Sequence, residues 1–146
     1  MADLAGSCFV IRKGEVDKTL RSVQAIGKKL LEPLKSLASL HNLPLNILED
    51  KEVVNDAEVH KHEGDLWLCL EGEVTFIYGG ELVEPRAKKN PDGTEDVREL
   101  KAKEIRGGIE VILKPGDWLW IPAGEPHQHK CAGVARLAII KIPKRS

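Results

Sequence analysis

The sequence has few cysteines, no long apolar run and no excess of basic charge, and each shortage excludes a class of protein. Only three of its 146 residues are cysteines, Cys8, Cys69 and Cys131, and none forms a CxxC pair. We therefore expect free thiols and a reducing compartment rather than a disulfide framework. Lysine and arginine total 22 against 23 aspartates and glutamates, so nucleic acid is not an expected partner.

The chain also lacks a segment that would enter a membrane. No apolar stretch approaches the roughly 20 residues of a transmembrane helix, and the first fifteen residues contain neither a basic n-region nor a sustained apolar h-region. A chain of this length forms one domain by default. We expect a single-domain cytoplasmic protein without a membrane partner.

An amphipathic segment comes first among the features that are present. Apolar residues recur every three or four positions between Asp17 and His41, which predicts one apolar helical stripe. They are Leu20, Val23, Ile26, Leu30, Leu34 and Leu37. Asp17 is the expected N-cap, and Pro33 is expected to kink or divide the run because it has no N–H. We predict one kinked helix or two short ones within an N-terminal helical segment, residues 1–44.

Beyond Leu45 the pattern changes to a period of two, with β-branched and aromatic residues that are typical of strands. The runs are LNIL, EVVNDAEVH, LWLCL, VTFIY, IEVIL, DWLWI and ARLAIIKI. Short turns rich in glycine and proline separate them, which favours an antiparallel barrel or sandwich over alternating βαβ units. We expect residues 45–146 to form this all-β domain.

Residues 81–106 interrupt the strands with seven acidic and seven basic residues around the turn sequence NPDG. This composition has too little apolar content for a buried strand pair, so we predict a solvated insertion loop. A lid over the barrel mouth and a polar hairpin extension without a function are the two alternatives for its role.

Four of the five histidines form two pairs with i, i+2 spacing, His60 with His62 and His127 with His129. On a strand this spacing puts both rings on one face. Asp65 follows His62 after a Glu-Gly turn, and His127 follows a turn containing proline and glycine. Three imidazoles and a carboxylate can therefore converge, which predicts one divalent ion (Mn, Fe, Ni, Zn or Co) held by His60, His62, Asp65 and His127.

These residues resemble the two sequence motifs of the cupin superfamily, over residues 52–142. His60, His62 and Gly72 match the first motif, with Asp65 at the position of its metal carboxylate and one residue closer to His62 than usual. The second motif is matched by Gly116, Pro122, Gly124 and His127, with Cys131 in place of its terminal asparagine. The resemblance implies an all-β fold, a double-stranded β-helix or jelly-roll barrel, preceded here by the short helical segment.

The same resemblance implies a small-molecule ligand or substrate but leaves two functions open. One is a small metalloenzyme of isomerase, lyase or oxygenase type that acts on a small polar substrate. The other is a non-catalytic module that binds a sugar or an acid, since cupins host both kinds of activity. Glu58, on the face of His60, and His129, on the face of His127, are candidate acid or base residues for the enzyme.

A two-residue turn at Glu71–Gly72 predicts a hairpin in which Leu70 pairs with Glu73. In that register Tyr78 lies opposite Asp65, where its hydroxyl would orient the carboxylate or donate to a bound oxygen. The face expected to line the lumen carries Asp65, Trp67, Cys69, Val74, Phe76 and Tyr78. The other face carries Leu66, Leu68, Leu70 and Ile77. It is too apolar for water, so we expect a homodimer in which a second subunit helps the helical segment to cover it.

Overall fold

The computed structural model describes residues 8–145; what the sequence predicts for residues 1–7 and 146 lies outside this range. The described chain contains two helices, α1 (Lys13–Leu20) and α2 (Leu34–His41). Neither helix combines the length and the apolar character that a membrane crossing demands.

Strands make up most of the remaining described chain. They are β1 (Gly27–Leu30), β2 (Leu45–Val54), β3 (Ala57–His60), β4 (Glu63–Glu71), β5 (Val74–Tyr78), β6 (Glu81–Leu82), β7 (Arg86–Lys89), β8 (Glu95–Ala102), β9 (Ile105–Arg106), β10 (Ile109–Leu113), β11 (Trp118–Ile121) and β12 (His127–Pro143).

The N-terminal segment forms two short helices with a strand between them, so the two-helix alternative applies. Helix α1 begins before Asp17, and Pro33 is the N-cap of α2, where its missing N–H removes no helical hydrogen bond. Strand β1 pairs with β2. The predicted continuous stripe is wrong because the chain is extended there, which leaves Val23 and Ile26 exposed.

Strand β12 is the centre of the barrel. On one side it pairs antiparallel with β2 and then β3, and on the other side with β4 and then β5. Beyond these, β11 pairs with β4 and β10 pairs with β5. The consecutive strands β2 and β3 therefore both pair with β12, as do β4 and β5, and the chain bends between the two strands of each pair. The curled antiparallel sheet that results is the predicted jelly-roll barrel.

Strands β4 and β5 do not pair with each other, so the hairpin predicted at Glu71–Gly72 is wrong. Both strands run antiparallel to β12, and the chain bends between them instead of reversing. Gly72 has a φ of +71°, and a Cβ at this position would lie 2.0 Å from the carbonyl oxygen of Val134. The bend therefore requires glycine, because β12 passes too close for any side chain.

Two apolar clusters stabilise the fold. The larger fills the closed part of the barrel and includes Trp67 and Phe76. The smaller lies on the outside of the sheet, where Leu31 and Leu34 pack with Ile47. Burial alternates along β4 and β5, so Asp65, Trp67, Cys69, Val74 and Phe76 face inward as predicted, although the hairpin that suggested the register is absent. Tyr78, at the end of β5, is only half-buried.

The charged segment 81–106 forms strands rather than the predicted loop. Strand β8 pairs with β3 on one side and with β7 on the other, and Ala102 is fully buried. Ladder hydrogen bonds do not require apolar side chains, and here opposite charges face each other, as in the contacts of Lys88 with Glu99 and Arg86 with Asp56. The segment is thus a polar hairpin that extends the sheet beside β3.

Candidate metal centre

The barrel contains a cavity of about 710 Å³ that is open to solvent on one side. Its lining includes both charged and apolar side chains. The titratable residues are Lys28, Lys29, Glu58, His60, Glu63, Asp65, Lys88, Glu99, Lys101, His127, His129 and Lys141, and the others include Leu30, Leu43, Asn46, Leu48, Trp67 and Ile139.

Four residues that can bind a metal converge in this cavity from three neighbouring strands. Glu58 and His60 come from β3, Asp65 from β4 and His127 from β12. Nε2 of His60 lies 3.2 Å from Oε2 of Glu58 and 3.7 Å from Oδ2 of Asp65, and Nε2 of His127 lies 3.5 Å from the same Asp65 oxygen. Ligand atoms of Glu58, His60 and His127 all lie within 4.8 Å of one another.

In both imidazoles a hydrogen bond holds Nδ1, which leaves Nε2 pointing toward Asp65. Nδ1 of His127 lies 3.0 Å from the carbonyl oxygen of Glu125. A carbonyl oxygen only accepts, so this nitrogen carries the proton. Nδ1 of His60 lies 3.0 Å from Oε1 of Glu99, and this carboxylate likewise accepts. Such bonds fix the ring orientation of metal-binding histidines.

Charge and burial act differently on the two rings. Burial lowers the pKa of His127 below its usual range, so this ring is neutral and its Nε2 holds a lone pair. The pKa of His60 is raised above its usual value. Burial alone would lower this pKa, but the hydrogen bond to Glu58 and the nearby carboxylates outweigh burial. Despite burial, His60 and the cations Lys28 and Lys101 hold the pKa of Glu58 well below its usual range.

The carboxylate of Asp65 fits a bound cation. It is 1% exposed, and its Oδ2 has no hydrogen-bond partner within residues 8–145. Its other oxygen, Oδ1, accepts a hydrogen bond from Nζ of Lys141 at 2.7 Å. A buried carboxylate oxygen without a donor is unfavourable, and the Nε2 atoms of His60 and His127 lie 3.7 and 3.5 Å from it.

His62 is not brought into this group. Strand β3 ends at His60, the chain bends at Lys61 and His62, and the His62 side chain is exposed. It lines a smaller pocket with Asp96 and Arg98. The prediction that His60 and His62 share one face of a strand is therefore wrong, because the alternation ends with the strand. Glu58, one alternation before His60, faces the cavity instead.

The other two candidate residues have different positions. His129 is buried, lines the cavity and donates from Nδ1 to Oδ2 of Asp50, while Asn55 donates to the other Asp50 oxygen. Tyr78 is paired with His127 and Ile109 rather than with Asp65. It does not line the cavity, so the predicted contact with Asp65 is wrong, because that register depended on the absent hairpin.

Two residues beside the metal-binding group were missed by the sequence analysis. Lys141 contacts Asp65, and Glu99 contacts both His60 and Lys88. Alternation along the last strand would have put Lys141 on the inward face with Ile139, so a signal existed. For Glu99 there was none, because its strand belongs to the segment predicted to be a loop.

Comparison with known proteins gives a consistent result for the fold. No family model matches the sequence, and no curated protein matches it significantly. The structure resembles oxalate oxidase (TM-score 0.54, 14% identity), covering 95% of this chain but only 62% of that one. It also resembles BH2720 from Bacillus halodurans (TM-score 0.53, 17% identity), covering 97% and 86% of the two chains.

A third similar structure is the cupin domain of Drosophila melanogaster CENP-C, with a TM-score of 0.46, 14% identity and coverage of 82% of this chain and 71% of that one. At these identities the likeness concerns the fold, and the barrel topology matches the one implied by the two sequence motifs. The chain therefore has the cupin fold, a jelly-roll barrel.

Proposed function

We propose that this protein is a small cupin metalloenzyme that binds one divalent ion and acts on a small polar substrate in its cavity. Glu58, His60, Asp65 and His127 would hold the ion. One observation carries the proposal: Oδ2 of Asp65 is buried, has no hydrogen-bond donor in the described chain and lies 3.5 Å from Nε2 of His127.

Both of these atoms carry lone pairs that point toward the same space. Because Nδ1 of His127 donates to the Glu125 carbonyl, the neutral ring has no proton on Nε2. A carboxylate oxygen and an unprotonated nitrogen repel each other at this distance unless a cation lies between them. Two imidazoles and two carboxylates are donors that Mn, Fe, Co, Ni and Zn all accept, so the donor set leaves the identity of the ion open.

The protein's own residues orient the site. The Glu99 carboxylate and the Glu125 carbonyl each hold one imidazole in the orientation that presents Nε2. Lys28 and Lys101 lie 3.8 and 3.1 Å from Oε1 of Glu58 and keep this carboxylate ionised. A bound ion would act as a Lewis acid on an oxygen of the substrate.

A buried histidine supports the catalytic part of the proposal. His129 donates from Nδ1 to Asp50, and no hydrogen bond to its Nε2 is found within the described chain. An imidazole oriented by a carboxylate and facing a ligand cavity is the arrangement of a general base. We assign His129 this role. Proton NMR of sugars, sugar acids and keto acids in D₂O, with and without oxygen, should show substrate conversion that His129→Gln abolishes.

A specific observation favours a second candidate, a binding module that uses no metal. Lys141 lies 2.7 Å from Asp65, and the raised pKa of His60 allows an imidazolium that donates to Glu58 and Glu99. An ammonium and an imidazolium would then neutralise the carboxylates without an ion. The two candidates differ in one measurable property, the affinity of the site for metal.

Titration of metal-stripped protein with Mn²⁺, Co²⁺ and Zn²⁺ tests this difference. We expect one equivalent to bind, and His127→Ala to lower the affinity more than about 100-fold, because the site loses a buried ligand whose ring is already oriented by the Glu125 carbonyl. His62→Ala is the matched control and should bind within about twofold of the unchanged protein, since His62 is exposed. Equal loss in both variants would contradict the grouping described above, and no binding at all would favour the metal-free module.

A further inference from the structure

The cavity contains a second set of polar atoms that the metal-binding group does not use. Nε1 of Trp67 and Oδ1 of Asn46 are shielded from solvent and have no hydrogen-bond partner within residues 8–145. Both side chains line the cavity, and Trp67 is 2% exposed. A buried N–H or carbonyl without a partner is unfavourable. These two atoms can therefore form hydrogen bonds with a ligand that enters the cavity.

The sheet register puts the two side chains in one row. Ile139 of β12 is paired with Trp67 of β4 on one side and with Asn46 of β2 on the other. Residues directly opposite each other on neighbouring strands project from the same face. Asp65 is two residues before Trp67 on β4 and so occupies the adjacent inward position. The row therefore lies immediately next to the metal-binding group, with an apolar side chain at its centre.

We propose that Trp67 and Asn46 form a subsite for the hydroxyl groups of a polyhydroxylated ligand, a sugar or a polyol, whose other end reaches the metal-binding group. The proposal rests on the proposed function, because it takes this cavity to be the ligand site. It adds the chemical class of the ligand.

The chemistry of the unpartnered atoms selects hydroxyl groups. The indole N–H donates and the amide oxygen accepts, and a hydroxyl group is the simplest group that can serve both. The two residues stand two strands apart, about 10 Å at the backbone level, so a ligand with several hydroxyls matches them better than a simple alcohol. The C–H surface of such a ligand would lie against Ile139 and the neighbouring Leu48.

The charges around the cavity do not favour a carboxylate at this subsite. Trp67 and Asn46 are uncharged, and lysines of the cavity lining are held elsewhere: Lys141 by Asp65, Lys101 by Glu58 and Lys29 by the carbonyl oxygen of Val23. A carboxylate buried against an indole and an amide would lack a compensating cation, which is strongly unfavourable. The experiment must therefore distinguish a polyhydroxylated ligand from an acid.

The three tryptophans make the test direct. In protein labelled with ¹⁵N at the indole nitrogen, Trp118 and Trp120 are 59% and 50% exposed and serve as internal controls for Trp67. We expect xylitol and D-xylose to shift the Trp67 indole signal and to leave the other two unchanged, while succinate shifts none. A Trp67 signal that does not respond to either polyhydroxylated probe, or that responds equally to succinate, would overturn the subsite.

Variants provide a second measurement. Asn46→Leu keeps the side-chain volume but removes the hydrogen-bonding atoms, and Trp67→Phe removes the N–H. Each should lower the xylitol affinity about tenfold, the usual effect of losing one buried hydrogen bond to a ligand. Asn90→Leu, on the exposed turn between β7 and β8, is the matched control and should change nothing. Unchanged affinity in a folded Asn46→Leu variant would exclude this residue and with it the subsite.

Metal titration of the same samples separates this proposal from the proposed function. If the protein binds one ion and xylitol does not move the Trp67 signal, the subsite is wrong and the metal centre stands. If xylitol moves the signal in a protein that binds no ion, the subsite stands and the metal centre is wrong.

Discussion

The two faces of strand β4 differ in a way that separates the functional part of the barrel from the rest. Asp65, Trp67 and Cys69 point inward and are buried, yet Asp65 and Trp67 each have a polar atom without a hydrogen-bond partner among residues 8–145. Leu66 and Leu68 alternate with them, point outward and are only half-buried. The inward face of β4 thus presents polar groups to the cavity, while its outward face is apolar.

The neighbours of the outer face explain what this difference means. Trp118 and Trp120 stand opposite Leu68 and Leu66 in the register of β11 and β4, and both tryptophans are at least half exposed. The N-terminal helices pack farther across the sheet, around Ile47. An uncovered apolar strip of this kind is typical of an interface, whereas polar groups without partners inside a cavity are typical of a ligand site. The two faces of β4 therefore suit two different kinds of contact.

The largest expected effect concerns the outer face. If the outer face of β4 forms the homodimer interface that the sequence predicts, Trp118 and Trp120 would lie in it, and light scattering should give twice the chain mass of 16.2 kDa. The double variant Trp118→Ser, Trp120→Ser should then give a single chain mass at micromolar concentration, because the central aromatic residues dominate such interfaces. Metal binding should be unchanged. A single chain mass for the unchanged protein would remove the prediction of a dimer.

A change on the inner face should produce the opposite pattern. Asp65→Asn keeps the shape of the side chain and removes its charge, so we expect metal affinity to fall about 10- to 100-fold. The mass measured by light scattering should stay the same. Leu66→Asn, one residue away on the outer face, is the control and should leave metal affinity within about twofold. Equal metal loss in the two variants would show that the faces are not independent.

Glu99 tests how far the inner site extends beyond the two motifs. Glu99→Gln retains a hydrogen-bond acceptor but removes the charge beside Nδ1 of His60, and a loss of about tenfold in metal affinity is expected. Asp96→Asn on the same strand is the control, since Asp96 contacts Arg98 and not the histidines. An affinity equal to that of the control would mean that His60 is held by the strand alone.

The smallest expected effect has the opposite sign. Lys141→Met removes the ammonium group that shares Asp65 with the ion, and a gain of about two- to threefold in metal affinity should follow, in keeping with the modest strength of a partly exposed ion pair. Isothermal titration measures this directly. A loss of affinity instead would indicate that Lys141 organises Asp65 for the ion rather than competing with it.

The sequence predicted the barrel because its second motif has the full cupin spacing and because most strands alternate clearly. The pair His127 and His129 illustrates why. Both lie on β12, which continues for 17 residues, so the alternation holds and both rings face the cavity. Here local pattern and three-dimensional structure agree.

The pair His60 and His62 has the same spacing and a different result. Strand β3 ends at His60, where the backbone carbonyl accepts from the N–H of Gly124 and the next N–H donates to the carbonyl of Arg98. These contacts come from distant parts of the chain, so the end of the strand could not be read from the residues around it. The same holds for Glu99. It reaches His60 only because β8 pairs with β3, across 39 residues of sequence.

The position of β12 determines when this protein can become functional during synthesis. This strand pairs with β2, β3, β4 and β5 and carries His127. Until residues 127–143 have left the ribosome, the earlier strands lack their common neighbour, and nearly all the contacts that close the barrel span a large part of the chain. The cavity therefore cannot exist on a nascent chain that lacks this strand, and the proposed ion would be acquired only after the strand has been added.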